Sequence, residues 1–205
     1  QLLFRKEEKT LMDHVSDYIM IQNLISAPLC RSLIRETSLP ESKWSKHSWY
    51  NYGRDELHSW QDKEPDIIDS TNEQFQQLLE YLREAVQNYQ KKYSREADGT
   101  KFKVEPTWLN HIFRVRFNRY KIGTKLRSHY DHIHSLFDGK LKGVPIISIV
   151  GLLNDNYEGG AFMCREKEIK LIPGDILLFP SNFMYPHEVK EITKGIRYSF
   201  VSWAF

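Results

Sequence analysis

Near residue 105 the period of the hydrophobic pattern changes, and that change limits the folds open to this chain. Before it, Phe75, Leu78, Leu79, Leu82, Ala85, Val86 and Tyr89 make one stripe in NEQFQQLLEYLREAVQNYQKKY. A stripe recurring every three or four residues is one face of an amphipathic helix. Ser70 and Glu73 have the spacing of a capping box at its start. A shorter helix is expected from about Ala27 to Glu36, after the strand-like YIMIQN. After residue 105 the period is two: Phe113, Val115 and Phe117 alternate with Arg114, Arg116 and Asn118, as in a half-buried strand. Short apolar runs follow, IISIVGLL, AFMC, EIKLI, ILLF and RYSFVSWAF, parted by the turn-forming NYEGG and PGD. Many short strands joined by Gly, Pro and Asp turns predict a sandwich or barrel. The expectation is one domain over 1–205, with helical and irregular support over 1–104 and an all-β half over 105–205. Between the helices, KWSKHSWYNYGRDELHSW reads as a long irregular segment. Its Trp44, Trp49, Tyr50, Tyr52 and Trp60 form either a substrate lid or the pins that fasten a loop to the barrel.

Composition removes several function classes. At 205 residues the chain is long enough for one domain with a real core. A net charge of +2 lacks the basic excess of a dedicated nucleic-acid binder. The basic run Arg114, Arg116, Arg119, Lys121, Lys125 and Arg127 therefore reads as a mixed, partly solvated face rather than a phosphate track. Two cysteines, Cys30 and Cys164, make no disulfide framework and suit a reducing compartment, so a cytoplasmic location is expected. The run PIISIVGLL is too short to span a bilayer, and QLLFRKEEKT lacks a signal-peptide apolar core, so no membrane association is expected.

The chemistry concentrates in HYDHIH, residues 129–134, which holds three of the eight histidines. In a strand, residues two apart share a face. His129 and Asp131 form one such pair and His132 and His134 another, so spacing alone does not choose between them. Beyond this stretch the sequence has one more histidine, His187, just past the apolar ILLF. Two His and one carboxylate match the facial triad of non-haem Fe(II) oxygenases, which leaves three metal positions open. Ten residues after His187 comes Arg197, with Ser199 on the same strand face. A guanidinium fork beside a hydroxyl suits a carboxylate ligand. Asn118 and Tyr120 share another face and can hold the same anionic cosubstrate. Trp203 lies on the face of Arg197, as pocket wall or core. His132 and His134 are left as supporting or substrate-contacting residues.

FNRYKIGTKLRSHYDHIH, the YEGGAF turn, PGDILLFP, His187 and RYS together resemble the Fe(II)/2-oxoglutarate-dependent dioxygenase superfamily, most closely its prolyl 4-hydroxylase-like branch. The resemblance covers about residues 105–205. It implies a mostly β fold with helices, a double-stranded β-helix (a cupin-like jelly roll) supported by N-terminal helices. It implies His129, Asp131 and His187 as iron ligands and Arg197 as the 2-oxoglutarate anchor, assisted by Ser199 and Tyr120. Asn118 is carried over from the NRY pattern of AlkB-type demethylases, which this stretch is also similar to. The implied cofactors are Fe(II), 2-oxoglutarate and O2, with ascorbate as a stimulant.

The function so implied is hydroxylation of a C–H bond, on a peptidyl proline or a similar residue, with release of succinate and CO2. A peptide or protein is the expected partner. Collagen-type prolyl 4-hydroxylases often carry Lys at the position of Arg197 and a Trp-x-His at the last strand, whereas here Trp203-Ala204-Phe205 ends the sequence without that His. The alternatives are an AlkB-like nucleic-acid dealkylase, a hydroxylase of a small molecule, and a jelly-roll binding module without turnover.

Overall fold

The computed structural model describes residues 15–51, 54–59, 61–70, 75–93, 111–131 and 146–205. In chain order, β1 (Met20–Asn23) leads into α1 (Ala27–Thr37), followed by β2 (Ser45–Lys46), β3 (Trp49–Asn51), β4 (Glu56–His58), β5 (Asp66–Asp69) and α2 (Gln76–Tyr93). The second half is all strand: β6 (Arg116–Tyr120), β7 (Leu126–His129), β8 (Ile147–Leu152), β9 (Tyr157–Gly159) and β10 (Phe162–Cys164). It ends with β11 (Lys167–Ile169), β12 (Asp175–Pro180), β13 (His187–Val189), β14 (Ile192–Gly195) and β15 (Arg197–Ala204). Among the described residues, no helix is long and apolar enough to cross a membrane.

Both helices form where the sequence places them. Ser26 caps α1 by accepting a hydrogen bond from Leu29 N–H, and a proline occupies its first turn, where a missing N–H costs nothing. α2 buries Leu78, Leu82, Ala85, Val86 and Tyr89, the predicted stripe. Glu73 of the expected capping box lies outside the described residues.

Seven strands form the main sheet in the order β1-β12-β8-β15-β6-β5-β2, and a second sheet runs β11-β10-β13-β7, with β14 paired to β9. Alternation along the main-sheet strands divides their side chains between two cores. Phe117, Ile149, Ile176, Leu178 and Phe200 face the helices and join Leu33, Leu78, Leu82 and Val86. Tyr120, Val150, Leu177 and Phe179 face the second sheet and join Phe162, Cys164, Tyr185, Val189 and Ile192. Two facing sheets enclosing their own core are the jelly roll, and the functional residues lie at one end of that inner space.

The structure departs from the sequence reading in the first half. The segment expected to be irregular contributes β2 to the main sheet and a β3-β4 hairpin, and β1 and β5 also extend that sheet. Unpaired sheet edges are costly to leave exposed, and these strands cover β12 and β6. Trp44 pins the segment: its indole N–H donates to Thr37 O at 2.8 Å, and the Arg119 guanidinium sits 4.4 Å from its ring centroid. The side chain of Tyr50, and all of Tyr52 and Trp60, lie outside the described residues.

The basic run is held in ion pairs. Arg114 and Arg116 meet Asp69, Arg119 and Lys121 meet Asp66, and Lys125 meets Glu191. Burial raises the Asp66 carboxyl, but hydrogen bonds from Lys46, Lys121 and Arg119 outweigh it and hold the group at about 2. A carboxyl held below its ordinary value stabilises the fold above that value and loses the contribution as pH falls towards 2. Asp66→Asn is therefore expected to cost about 2 kcal/mol at neutral pH. Urea unfolding should show the parent and the variant converging as pH is lowered from 5 to about 2.

Candidate metal centre and its pocket

β7 and β13 lie side by side with His129 directly opposite His187, so their side chains project to one face. Asp131 lies two residues beyond His129, just past the end of β7, and its carboxylate reaches the same space. Asp131 Oδ1 lies 3.6 Å from His129 Nε2, and Oδ2 lies 3.7 Å from His187 Nε2. One ligand atom from each of the three residues falls within 4.8 Å of the others, the spread of a single-ion site.

The backbone orients both rings. His129 Nδ1 is 2.7 Å from Arg127 O, and His187 Nδ1 is 3.1 Å from Tyr185 O. A carbonyl only accepts, so each Nδ1 carries the proton and each Nε2 lone pair turns towards Asp131. Burial lowers the His129 imidazole below its ordinary range, and His187 pushes it further down, which favours the neutral, metal-binding form. Burial raises the Asp131 carboxyl, but His187, His129 and the Ser148 hydroxyl together leave it lowered, hence ionised. One carboxylate with two imidazoles is the donor set that Fe(II) takes.

Ser148 escaped the sequence reading. Its hydroxyl donates to Asp131 Oδ2 at 2.6 Å and lies 2.7 Å from Ser181 Oγ, with both serines buried. The available signal was one hydroxyl inside the apolar IISIVGLL, in a strand whose six residues are all buried. Such a bond holds a ligating carboxylate in one rotamer. Ser148→Ala is expected to weaken divalent-metal affinity by about 10–100-fold, read by calorimetric titration with Mn(II).

The second half of the site is a row on the inner face of the main sheet. Arg197 is directly opposite Tyr120, and Ser199 opposite Asn118. Arg197 is 1% exposed, and its Nη1 donates to Ser199 Oγ at 2.9 Å. Its Nε has no hydrogen-bond partner, and the guanidinium makes no ion pair among the described residues. Gly160 packs against this arginine: at φ +64°, a Cβ there would lie 3.2 Å from Arg197 Cδ and 2.3 Å from Ile192. Burial raises the Tyr120 phenol to about 12, against the pull of Arg197, so it stays a neutral donor. A buried guanidinium lacking a counter-ion is costly, and an anionic carboxylate ligand satisfies it. The residues present thus fit a metal with a carboxylate-bearing cosubstrate.

Trp203 shares this face. It is opposite Ser148 and is buried, and its indole N–H pulls weakly on Asp131 without reaching hydrogen-bond geometry. His132 and His134 lie outside the described residues.

Residues 115–205 match the family model of the 2OG-Fe(II) oxygenase superfamily. Over those residues the chain is similar to that superfamily. A PKHD-type hydroxylase of Crocosphaera subtropica is 33% identical over 99 residues, covering 45% of this chain and 43% of that protein. A PKHD-type hydroxylase of Aliarcobacter butzleri is 30% identical over 124 residues, covering 54% of each. The chain thus spans about half the length of the curated relatives it matches. In fold it is similar to a Pseudomonas putida prolyl-4-hydroxylase (TM-score 0.64, 18% identity, 93% of this chain and 97% of that one). It is also similar to a Trichoplax adhaerens prolyl hydroxylase in complex with a hypoxia inducible factor peptide fragment (TM-score 0.65, 18% identity, 93% and 84%). These neighbours show the jelly-roll fold. The superfamily's name carries the two groups that the site fits, Fe(II) and 2-oxoglutarate.

Proposed function

We propose that this chain is an Fe(II)- and 2-oxoglutarate-dependent dioxygenase that hydroxylates a C–H bond of a peptidyl proline or a similar residue. One observation carries the reading: a three-donor set of two imidazoles and a carboxylate lies in the same inner space as a buried Arg197 that makes no ion pair among the described residues. A metal site alone would suit many proteins, and a buried arginine alone would suit a fold. Together they describe a metal with an anionic partner beside it. The prolyl hydroxylases that the chain is similar to in fold, and the peptide fragment in the Trichoplax complex, support a peptide or protein substrate.

In this reading His129, Asp131 and His187 hold the iron on one face. The Arg197 fork, with Ser199, Tyr120 and Asn118, holds the distal carboxylate of 2-oxoglutarate. Bound Fe(II) supplies the activation of O2. One oxygen atom ends in the hydroxyl of the product and the other in succinate, while 2-oxoglutarate loses CO2, so the electrons balance without a further reductant. Ser148 fixes the ligand carboxylate, and the inner apolar core keeps water from the reacting atoms.

Anaerobic addition of Fe(II) and 2-oxoglutarate should produce a weak visible charge-transfer band near roughly 500 nm. Absence of that band, together with absence of 2-oxoglutarate-dependent succinate formation, would sink the reading. Succinate release across proline-rich peptides, methylated oligonucleotides and free amino acids then tests the substrate class.

A further inference from the structure

His47 belongs to none of the groups above, yet the sheet register brings it to the same pocket. Ser45 pairs with Ile67, Ile67 with Asn118, and Asn118 with Ser199, a row across the inner face of the main sheet. Two residues along, Arg197 is opposite Tyr120, the β5–β6 register continued one residue past Asp66–Arg119 sets Pro65 beside Tyr120, and His47 N–H donates to Pro65 O at 3.0 Å. His47 thus occupies the outer end of the row whose inner end is Arg197, which makes no ion pair among the described residues.

Its side chain is anchored like a working group. His47 Nδ1 lies 3.1 Å from Oε2 of Glu64, whose side chain is 3% exposed. Ser59 Oγ donates to His47 O at 2.7 Å, and Trp49 stacks on the imidazole with ring centroids 6.5 Å apart. The carboxylate accepts the hydrogen bond of Nδ1–H, which leaves Nε2 as the ring's remaining polar atom, on a side chain 21% exposed. The pair is felt at both halves of the site: His47 lowers the His129 imidazole, and Glu64 raises the Tyr120 phenol.

We propose that His47 is a specificity-determining residue whose Nε2 hydrogen-bonds a backbone amide of a peptide substrate at the pocket mouth, with Glu64 as its positioning residue. A peptide amide presents N–H and C=O side by side, so it satisfies Nε2 whether the ring is neutral or charged. Trp49, stacked on the ring, supplies a flat apolar surface for the side chain next to that amide. The contact rests on the oxygenase reading above and narrows its substrate to one with an exposed main chain.

The test uses the full chain loaded with Mn(II) and 2-oxoglutarate and a fluorescein-labelled proline-rich peptide. His47→Ala is expected to weaken peptide binding about tenfold or more, with Mn(II) and 2-oxoglutarate affinities within about twofold of the parent. His47→Gln restores a donor and an acceptor and should recover part of the loss. Under aerobic Fe(II) turnover, the peptide KM should rise more than kcat falls. Glu64→Gln should move KM in the same direction by less. Unchanged peptide affinity and KM in His47→Ala would overturn the contact while leaving the oxygenase reading in place. An equal loss in His47→Gln and His47→Ala, with 2-oxoglutarate binding also lost, would overturn it in favour of a structural role. Binding of a single-stranded oligonucleotide in place of the peptide would overturn the amide. Failure of the parent to bind Mn(II) and 2-oxoglutarate would overturn the oxygenase reading, and this contact with it.

Discussion

Asp131→Ala is expected to lower metal affinity by well over about a hundredfold and to abolish 2-oxoglutarate turnover, with the fold intact. The size follows from charge. His129 and His187 contribute imidazole nitrogens, so Asp131 is the one carboxylate in the donor set. Without it, two imidazoles with ring centroids 4.3 Å apart would hold a dication in a buried site with nothing to balance the charge. The loss should exceed that of Ser148→Ala, because Ser148 acts only through the carboxylate that Asp131→Ala removes. The cost in stability should be small, since among the described residues outside the triad Asp131 accepts a hydrogen bond from Ser148 alone. Calorimetric Mn(II) titration and thermal unfolding of the apo-protein check both parts. Parent-like metal affinity in Asp131→Ala would falsify the ligand assignment.

Much of the site was legible because strand parity is a rigid rule. His129 with Asp131, Arg197 with Ser199, and Asn118 with Tyr120 each share a face two residues apart, and the sheets carry those pairs to one pocket. The α2 stripe was legible for a similar reason, since one face of a regular element meets the core. Two kinds of information were not local. Ser148 looks like an interruption in an apolar strand until the fold sets Asp131 beside it. His47 sits in a segment without clear periodicity, where short strands form only because the main sheet offers edges to pair with. Aromatic and polar residues in such a segment have no pattern of their own, so β2 and the β3-β4 hairpin read as irregular chain. The same segment supplies His47, whose imidazole meets Glu64.

Arg197→Met should separate binding from stability, with opposite signs. In the apo-protein the Arg197 side chain is almost wholly buried, with one hydrogen bond to Ser199 and an unpartnered Nε. A charge in that position destabilises the fold, and an apolar chain of similar length relieves it, so Arg197→Met should raise apo stability by about 1–3 kcal/mol. The same substitution removes the guanidinium opposite Tyr120 and should weaken 2-oxoglutarate by about a hundredfold or more. Thermal unfolding of Mn(II)-loaded protein reads both effects. At a ligand concentration about a hundred times Kd, 2-oxoglutarate should stabilise the parent by about 2.7 kcal/mol and leave Arg197→Met unmoved. Arg197→Lys should fall between them, because an ammonium keeps the charge but loses the fork that meets a carboxylate with two bonds. A variant that is less stable than the parent when apo, yet still gains stability from 2-oxoglutarate, would place the cosubstrate's carboxylate elsewhere. The opposite signs arise because a site built to receive an anion must hold its cation unpaired until that anion arrives, and the fold bears the cost meanwhile.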